Sequence, residues 1–250
     1  MNRFFADENS IFTDDCIEIY GEDVNHIRNV LRLKKNEEII VCDGAGKDYY
    51  CRISGMTSEK VVADILDVCD NLSELETAIT LFQGYPKSDK LELIIQKNVE
   101  LGVSRIVPVM TKRTVVKLDD KKADRKTERY KSIALSAAKQ CGRGRIPEVT
   151  KPVTFDEALS MAAKLDMCMI PYEEAEGIEF SRKMISEIKG KSSLGIFIGP
   201  EGGFDETEVA AAKEKGIVPI TLGHRILRTE TAGMAVMSVI MFSLEKDNQT

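Results

Sequence analysis

The sequence predicts an α/β protein in two parts: a small β-barrel or sheet domain over residues 1–72 and a larger α/β domain over residues 73–250. Three observations carry that prediction. Short apolar runs separated by turn signals crowd residues 1–72. A strand, helix, strand series of about thirty residues follows the polar stretch 70–77. Near the C-terminus, two buried runs each end in a glycine-bearing loop that precedes a helical pattern.

In the first part, residues 16–20, 38–42, 49–53 and 60–65 read as strands, and Asp43-Gly44-Ala45-Gly46-Lys47-Asp48 as a turn between two of them. Residues 22–31 are the exception. Val24, Ile27, Val30 and Leu31 fall on one helical face, with His26, Arg28 and Arg32 beside it. In the second part, 78–82 is a strand and 83–87 a loop. Residues 88–101 form a helix with Leu91, Ile94, Ile95, Asn98 and Leu101 inward and Gly102 as terminator. Residues 105–109 are the next strand, which makes the pair parallel. Residues 121–141 read as a basic amphipathic helix, with Tyr130, Ile133, Ala134, Ala137 and Ala138 inside and Lys122, Arg125, Lys126 and Arg129 outside. It ends in a turn whose Arg143 and Arg145 suit forked phosphate contacts. Thr154 and Glu157 cap a further helix, and 165–170 is a buried strand. Residues 173–191 are polar helix and surface.

Residues 194–198 form a strand stopped by Gly199-Pro200. Asp205 and Glu208 fit a capping box that opens helix 206–215, closed by Gly216, and 217–221 is the following strand. Residues 229–244 form a final apolar helix rich in methionine, a pattern of core or dimer interface. The loops after the two strands, Gly199-Pro200-Glu201-Gly202-Gly203-Phe204 and Leu222-Gly223-His224-Arg225-Ile226-Leu227-Arg228-Thr229-Glu230-Thr231-Ala232, lie where open α/β sheets bind ligands. After the strand at 78–82 there is only Gly84, so neither a dinucleotide fingerprint nor a Walker phosphate loop is present.

With 43% hydrophobic and 30% charged residues, the composition is that of a globular chain. No apolar stretch is long enough to span a bilayer and no export signal is evident, so a cytoplasmic protein without membrane contact is expected. The six cysteines show no C-x2-C spacing, and the two histidines, His26 and His224, are far apart. Buried thiols and no metal are expected. The net charge is −6, but it is unevenly spread. Residues 1–72 hold 8 basic and 15 acidic side chains, whereas residues 105–151 hold 14 basic and 5 acidic. A basic region of that size is able to track phosphates.

Several stretches together resemble a known family. They are Arg3-Phe4-Phe5, His26-Ile27-Arg28-Asn29-Val30-Leu31-Arg32, Lys97-Asn98-Val99-Glu100-Leu101-Gly102-Val103, Gln140-Cys141-Gly142-Arg143 and both loops above. The chain is similar over nearly its whole length to the SPOUT methyltransferases, and within them to the RsmE family, which methylates N3 of a uridine in 16S ribosomal RNA. The resemblance implies a PUA-like RNA-binding β-barrel domain followed by a SPOUT-type α/β domain with a C-terminal trefoil knot. It also implies S-adenosylmethionine as cofactor, 16S rRNA within the small ribosomal subunit as partner, and a homodimer.

The cofactor residues it implies are Phe82, Gly84, Gly199, Pro200, Glu201, Gly202, Leu222, Gly223, Ile226, Leu227, Arg228, Thr231 and Ala232. The RNA-binding residues are Arg3, His26, Arg28, Arg32, Arg113, Arg143 and Arg145. Arg228 is the candidate to stabilise the developing uridine anion, and Glu230 the candidate to accept a proton or orient Arg228. An internal salt bridge between these two, fixing the loop, is an equal alternative. The chain departs from the family at Ser136, where a glutamate is usual, at Cys141, near which a small or hydroxyl residue is usual, and in the acidity of its first 72 residues. Other readings are a SPOUT enzyme acting on another RNA such as transfer RNA, a non-catalytic ribosome-assembly protein that binds RNA, and a nucleotide-binding metabolic enzyme.

Overall fold

Apolar side chains at alternate positions commit residues 38–70 to a sheet with one dry face. The computed structural model describes residues 1–6 and 9–245. It resolves into two compact units, residues 1–74 with 138–146, and residues 75–137 with those from Pro147 onward.

The first unit is a six-stranded sheet of β1 (Asn2–Phe5), β2 (Ile11–Phe12), β3 (Cys16–Ile19), β4 (Glu38–Cys42), β5 (Lys47–Met56) and β6 (Val61–Asp70), in the order β1-β4-β5-β6-β3-β2. Only β1 pairs in parallel, with β4. Irregularities between Tyr50 and Cys51 and between Ile53 and Gly55 bend the long β5/β6 pair. The sheet curls far enough for Phe12 on β2 to meet Tyr49 on β5, ring centroids 5.1 Å apart. Phe4, Ile17, Ile39, Val41, Cys51, Ile53 and Val61 fill the inside.

The helix expected over 22–31 is α1 (Glu22–Asn25) running into a π-helical turn, His26–Val30. The Leu31 amide reaches back to the His26 carbonyl at 2.9 Å, five residues away. That widening keeps Val24 and Ile27 in the core but swings Val30, expected inward, to 63% exposure.

The second unit is a wholly parallel sheet of β7 (Ala78–Gly84), β8 (Arg105–Met110), β9 (Glu148–Val149), β10 (Val153–Thr154), β11 (Met167–Pro171), β12 (Ser193–Ile198) and β13 (Val218–Ile220). The order is β10-β8-β7-β12-β11-β13, with β9 beside β8. Its helices are α2 (Lys90–Glu100), α3 (Asp120–Cys141), α4 (Phe155–Ala162), α5 (Ile178–Ser186), α6 (Glu206–Glu214) and α7 (Thr229–Leu244).

One sheet face is covered by α4 and α6 over Phe82, Val107, Val109, Ile170 and Phe197. The parallel register alternates Leu81 and Ile196 to the opposite face, where α2 packs with α7 and α7 with β12. Both capping boxes form, Thr154 with Glu157 and Asp205 with Glu208. The turn carrying Arg143 and Arg145, expected in the 73–250 domain, packs with the first unit instead. The Glu74 carboxylate accepts from the Gly144 and Arg145 amides at 3.0 Å each and ties it there.

Candidate functional site

Because β12 and β13 run in the same direction in one sheet, the loops leaving their carboxyl ends emerge on the same edge. They bound a cleft of about 920 Å³ in the second unit. The first loop turns tightly, with the Gly203 amide donating to the Pro200 carbonyl at 2.9 Å and Gly203 at φ +69°. A Cβ on Gly199 would lie 3.0 Å from Gly203 backbone atoms, so that close approach requires glycine. Arg113, which also lines the cleft, clamps the loop, its Nη1 donating to the Gly202 carbonyl at 2.9 Å. The second loop carries Gly223 at φ +101° and ends at Arg228, the N-cap of α7.

The loops are tied together beneath the cleft. Thr229 Oγ1 donates to the Gly199 carbonyl at 2.6 Å, and Gln83 Nε2 donates to Thr229 Oγ1 at 2.8 Å. At the rim, Lys90 Nζ stands 3.1 Å from Glu201 Oε1 and 3.5 Å from Glu230 Oε2. The Lys90 ammonium, bonded to Glu201, is held above its ordinary range. Burial would raise the Glu201 pKa, but its own backbone amide, Lys90 and the Lys87 amide outweigh that and hold it below the usual carboxylate range.

The cleft is lined by Gly199, Pro200, Glu201, Gly202, Leu222, Gly223, Ile226, Leu227, Arg228 and Ala232, ten of the expected cofactor residues. Three do not reach it. Phe82 is fully buried and stacks on Phe197 at 4.4 Å, because strand alternation turns it into the core. Gly84 faces the loop rather than a ligand, since a Cβ there would sit 2.5 Å from Pro200 Cδ and N. Thr231 is exposed on α7, outside the lining.

Arg228 lines the cleft, and its guanidinium makes no hydrogen bond or ion pair among the described residues. Glu230 is not in the lining, and its ionic partner is Lys90 rather than Arg228, so the Arg228–Glu230 bridge weighed as an alternative does not form. Lys90 is therefore a cleft residue that sequence reading missed. So are Tyr172 and Glu173, from the loop after β11, and Ile178, the first residue of α5, a stretch whose largely polar pattern carried no signal.

The expected RNA-binding residues divide by their partners. Arg3 is locked to Asp48 through two bonds of 2.7 and 2.9 Å. Arg143, 3% exposed, gives Nε and Nη2 to Glu74 at 2.9 and 2.7 Å. Neither offers a free fork to phosphate, because a buried guanidinium needs a permanent partner. Arg113 is exposed but bonded to the first loop. Arg32 is exposed at φ +55°, and Arg28 is half-buried. His26 is half-exposed beside Asp23, and Arg145 is exposed with its guanidinium on the Ala45 carbonyl.

Among the described residues, no group of three or more His, Cys, Asp or Glu is placed to hold a metal ion. None of their helices is long and apolar enough to cross a membrane. What the cleft offers is glycine-exposed backbone, apolar surface from Ile198, Leu222, Ile226 and Leu227, and charged groups of both signs at its rim. That suits a small ligand with a planar apolar part and polar ends.

A family model described as an RNA methyltransferase domain matches residues 73–241, and one described as an RNA methyltransferase PUA domain matches residues 19–66. The chain is 38% identical to the ribosomal RNA small subunit methyltransferase E of Bacillus subtilis, covering 98% of each. Among solved structures it is similar to the ribosomal RNA small subunit methyltransferase E of Neisseria gonorrhoeae bound to S-adenosyl methionine. That match has 32% identity and a TM-score of 0.82, with 97% of each chain covered. It is also similar to a Legionella pneumophila methyltransferase in complex with its cofactor SAM, with 29% identity, a TM-score of 0.83, and 96% of this chain and 97% of that one covered.

Proposed function

The chain belongs to the family of the ribosomal RNA small subunit methyltransferases E, and from that premise we propose that it transfers a methyl group from S-adenosylmethionine to N3 of a uridine in 16S ribosomal RNA. The observation that carries this reading is the cleft between the two glycine loops. Its lining fits the cofactor: the backbone amide of Gly202, apolar walls from Leu222, Ile226 and Leu227, and an ionised Glu201 at the rim. Bound there, S-adenosylmethionine supplies an electrophilic methyl on a sulfonium.

The protein's own contribution is positioning and charge. Arg228, unpaired and at the cleft, stabilises negative charge developing on the uracil as N3 loses its proton. Lys90 holds Glu201 and Glu230, joining the first loop to the first turn of α7. Glu230 thus acts on the loops through Lys90. We assign RNA binding to a first domain, 1–72, through Arg28, Arg32 and His26, and transfer to a second, 73–250, with Arg145 and the outer face of α3 adding phosphate contacts.

The substrate is the small-subunit RNA and the place of action the cytoplasm. A C-terminal trefoil knot is supported by the strand order, with β12 between β7 and β11 and α7 packed back on β12. A homodimer through α7 is supported by Val239 and Phe242, 50% and 83% exposed three residues apart on one helix face, and by Ile226 at 97%. A molar mass independent of concentration at one chain would contradict it.

The test is transfer of labelled methyl from S-adenosylmethionine to small-subunit RNA, naked and in assembled particles, followed by nucleoside analysis. The expected product is 3-methyluridine. Cofactor binding with a different methylated RNA would overturn the substrate, and absence of cofactor binding would overturn the enzyme.

A further inference from the structure

We infer that Gln83 and Thr229 are positioning residues of the methyl-donor cleft, a directed hydrogen-bond relay that fixes the Gly199 carbonyl and with it the first loop. This rests on the donor reading of the cleft, which Gly199 and Thr229 line and Gln83 does not.

The direction of the relay follows from donor counting. The Gln83 side chain is fully buried and its amide nitrogen gives one bond to the Gly84 carbonyl at 3.0 Å and one to Thr229 Oγ1 at 2.8 Å. An amide nitrogen only donates, so the Thr229 oxygen accepts from it. The single hydroxyl proton of Thr229 is therefore committed to the Gly199 carbonyl, at 2.6 Å. Flipping the Gln83 amide would set an oxygen against both the Gly84 carbonyl and an oxygen that has no second proton to give.

The peptide that the relay grips has no other hydrogen-bonding handle. Its carbonyl belongs to Gly199 and its nitrogen to Pro200, which carries no proton. Pro200 is also seated against Gly84, where a Cβ would lie only 2.5 Å from its Cδ. Both restraints are anchored on the last two residues of β7, Gln83 and Gly84. The peptide entering the first loop is thus held both by packing and by a hydrogen bond.

A second observation separates this role from fold stability. Gln83 Oε1 and Asn98 Oδ1 are buried without a hydrogen-bond partner, both in side chains of 0% exposure. An unpaired buried acceptor destabilises a fold, and an unbranched apolar side chain at position 83 would remove one of them. A buried amide whose donors are fully used while its acceptor is unmet fits selection for what the donors hold.

The test compares wild type, Thr229→Ser, Thr229→Ala, Gln83→Met and the Gln83→Met/Thr229→Ala double variant. The readouts are S-adenosylmethionine affinity by calorimetry, separate KM values for cofactor and RNA, and thermal midpoints. Thr229→Ser keeps the proton and binds cofactor as wild type does. Thr229→Ala and Gln83→Met each weaken cofactor binding about five- to tenfold, the worth of roughly one hydrogen bond, with the RNA KM unchanged. Because Gln83→Met also takes the donor from the buried Gly84 carbonyl, affinities are read well below each variant's thermal midpoint, which guards against a folding defect. The double variant is no weaker than either single, since both interrupt one relay.

Wild-type cofactor affinity in Thr229→Ala, failure of Thr229→Ser to retain it, or additive losses in the double variant would each overturn the relay. A wild-type protein that binds no S-adenosylmethionine would refute the donor reading of the cleft itself, and the relay with it.

Discussion

Replacing Glu74 by alanine should unfold the first unit at markedly lower temperature, and replacing Arg143 should act on stability before it acts on RNA. The Glu74 carboxylate takes Arg143 Nε and Nη2 at 2.9 and 2.7 Å and the Gly144 and Arg145 amides at 3.0 Å each. Arg143 is 3% exposed. Removing the carboxylate takes two bonds from a desolvated guanidinium and one from each of two amides, a loss of about 3–5 kcal/mol by analogy with other broken buried pairs. In a unit of this size each kcal/mol moves the midpoint by about 4–8 °C, so its transition should fall by more than about 10 °C.

Arg143→Met keeps the packed stem and leaves Glu74 with its amides and partial solvation, which predicts a smaller loss of about 1–3 kcal/mol. The double variant should be less destabilised than the sum of the singles, because both singles break the same pair. Thermal unfolding of the full chain by circular dichroism, with RNA binding measured across a salt series, reads both quantities. A wild-type midpoint in Arg143→Met, together with a salt slope reduced by about one charge, would refute this reasoning and return Arg143 to the phosphates.

Three further outcomes are expected. Arg228→Ala should lower methyl transfer about 10²–10³-fold while S-adenosylmethionine affinity stays within about twofold, as for a lost anion-stabilising donor; equal loss of binding and rate would sink the assignment. Gly84→Ala forces its Cβ to 2.5 Å from Pro200, so the first loop must shift. It should cost about 1–3 kcal/mol and weaken cofactor binding at least about tenfold by calorimetry, and unaltered binding would contradict the packing argument. Burial pushes the Cys42 and Cys51 thiols up to about 12 and Cys168 to about 11, whereas Cys69 is exposed. With those pKa values raised, the three buried thiols stay protonated and unreactive at pH 8, and a thiol reagent should label Cys69 first, as read by peptide mass mapping. Labelling of Cys168 in the native protein would show that its strand opens.

Several elements were legible because their cause is local. The capping residues Thr154 and Asp205 announce α4 and α6, each with a glutamate three residues on that closes the box. The spacing of the apolar residues Leu91, Ile94 and Ile95 announces the buried face of α2, which Asn98 shares. Local pattern misled where a distant partner decided. Gln83 reads as loop, yet it is a strand residue because β7 pairs there with Ile198 and Pro108, and its buried amide finds Thr229, far along the chain. Glu230 reads as a neighbour of Arg228, yet α2 brings Lys90 to it first. Val30 keeps helical phase in the sequence and loses it to a single widened turn.

By itself the sequence determined the α/β class, the glycine loops at 199–204 and 222–232 and the family resemblance, since strand alternation, helix caps and turn glycines act over a few residues. Only the tertiary structure decided that the two loops share one cleft, that Lys90 joins it, that Phe82 leaves it for the core, and that Arg3 and Arg143 are tied to carboxylates. Those outcomes depend on strand order and on pairings between residues far apart in the chain, where the energy of burying a charge or a ring is set by a partner that no local pattern names.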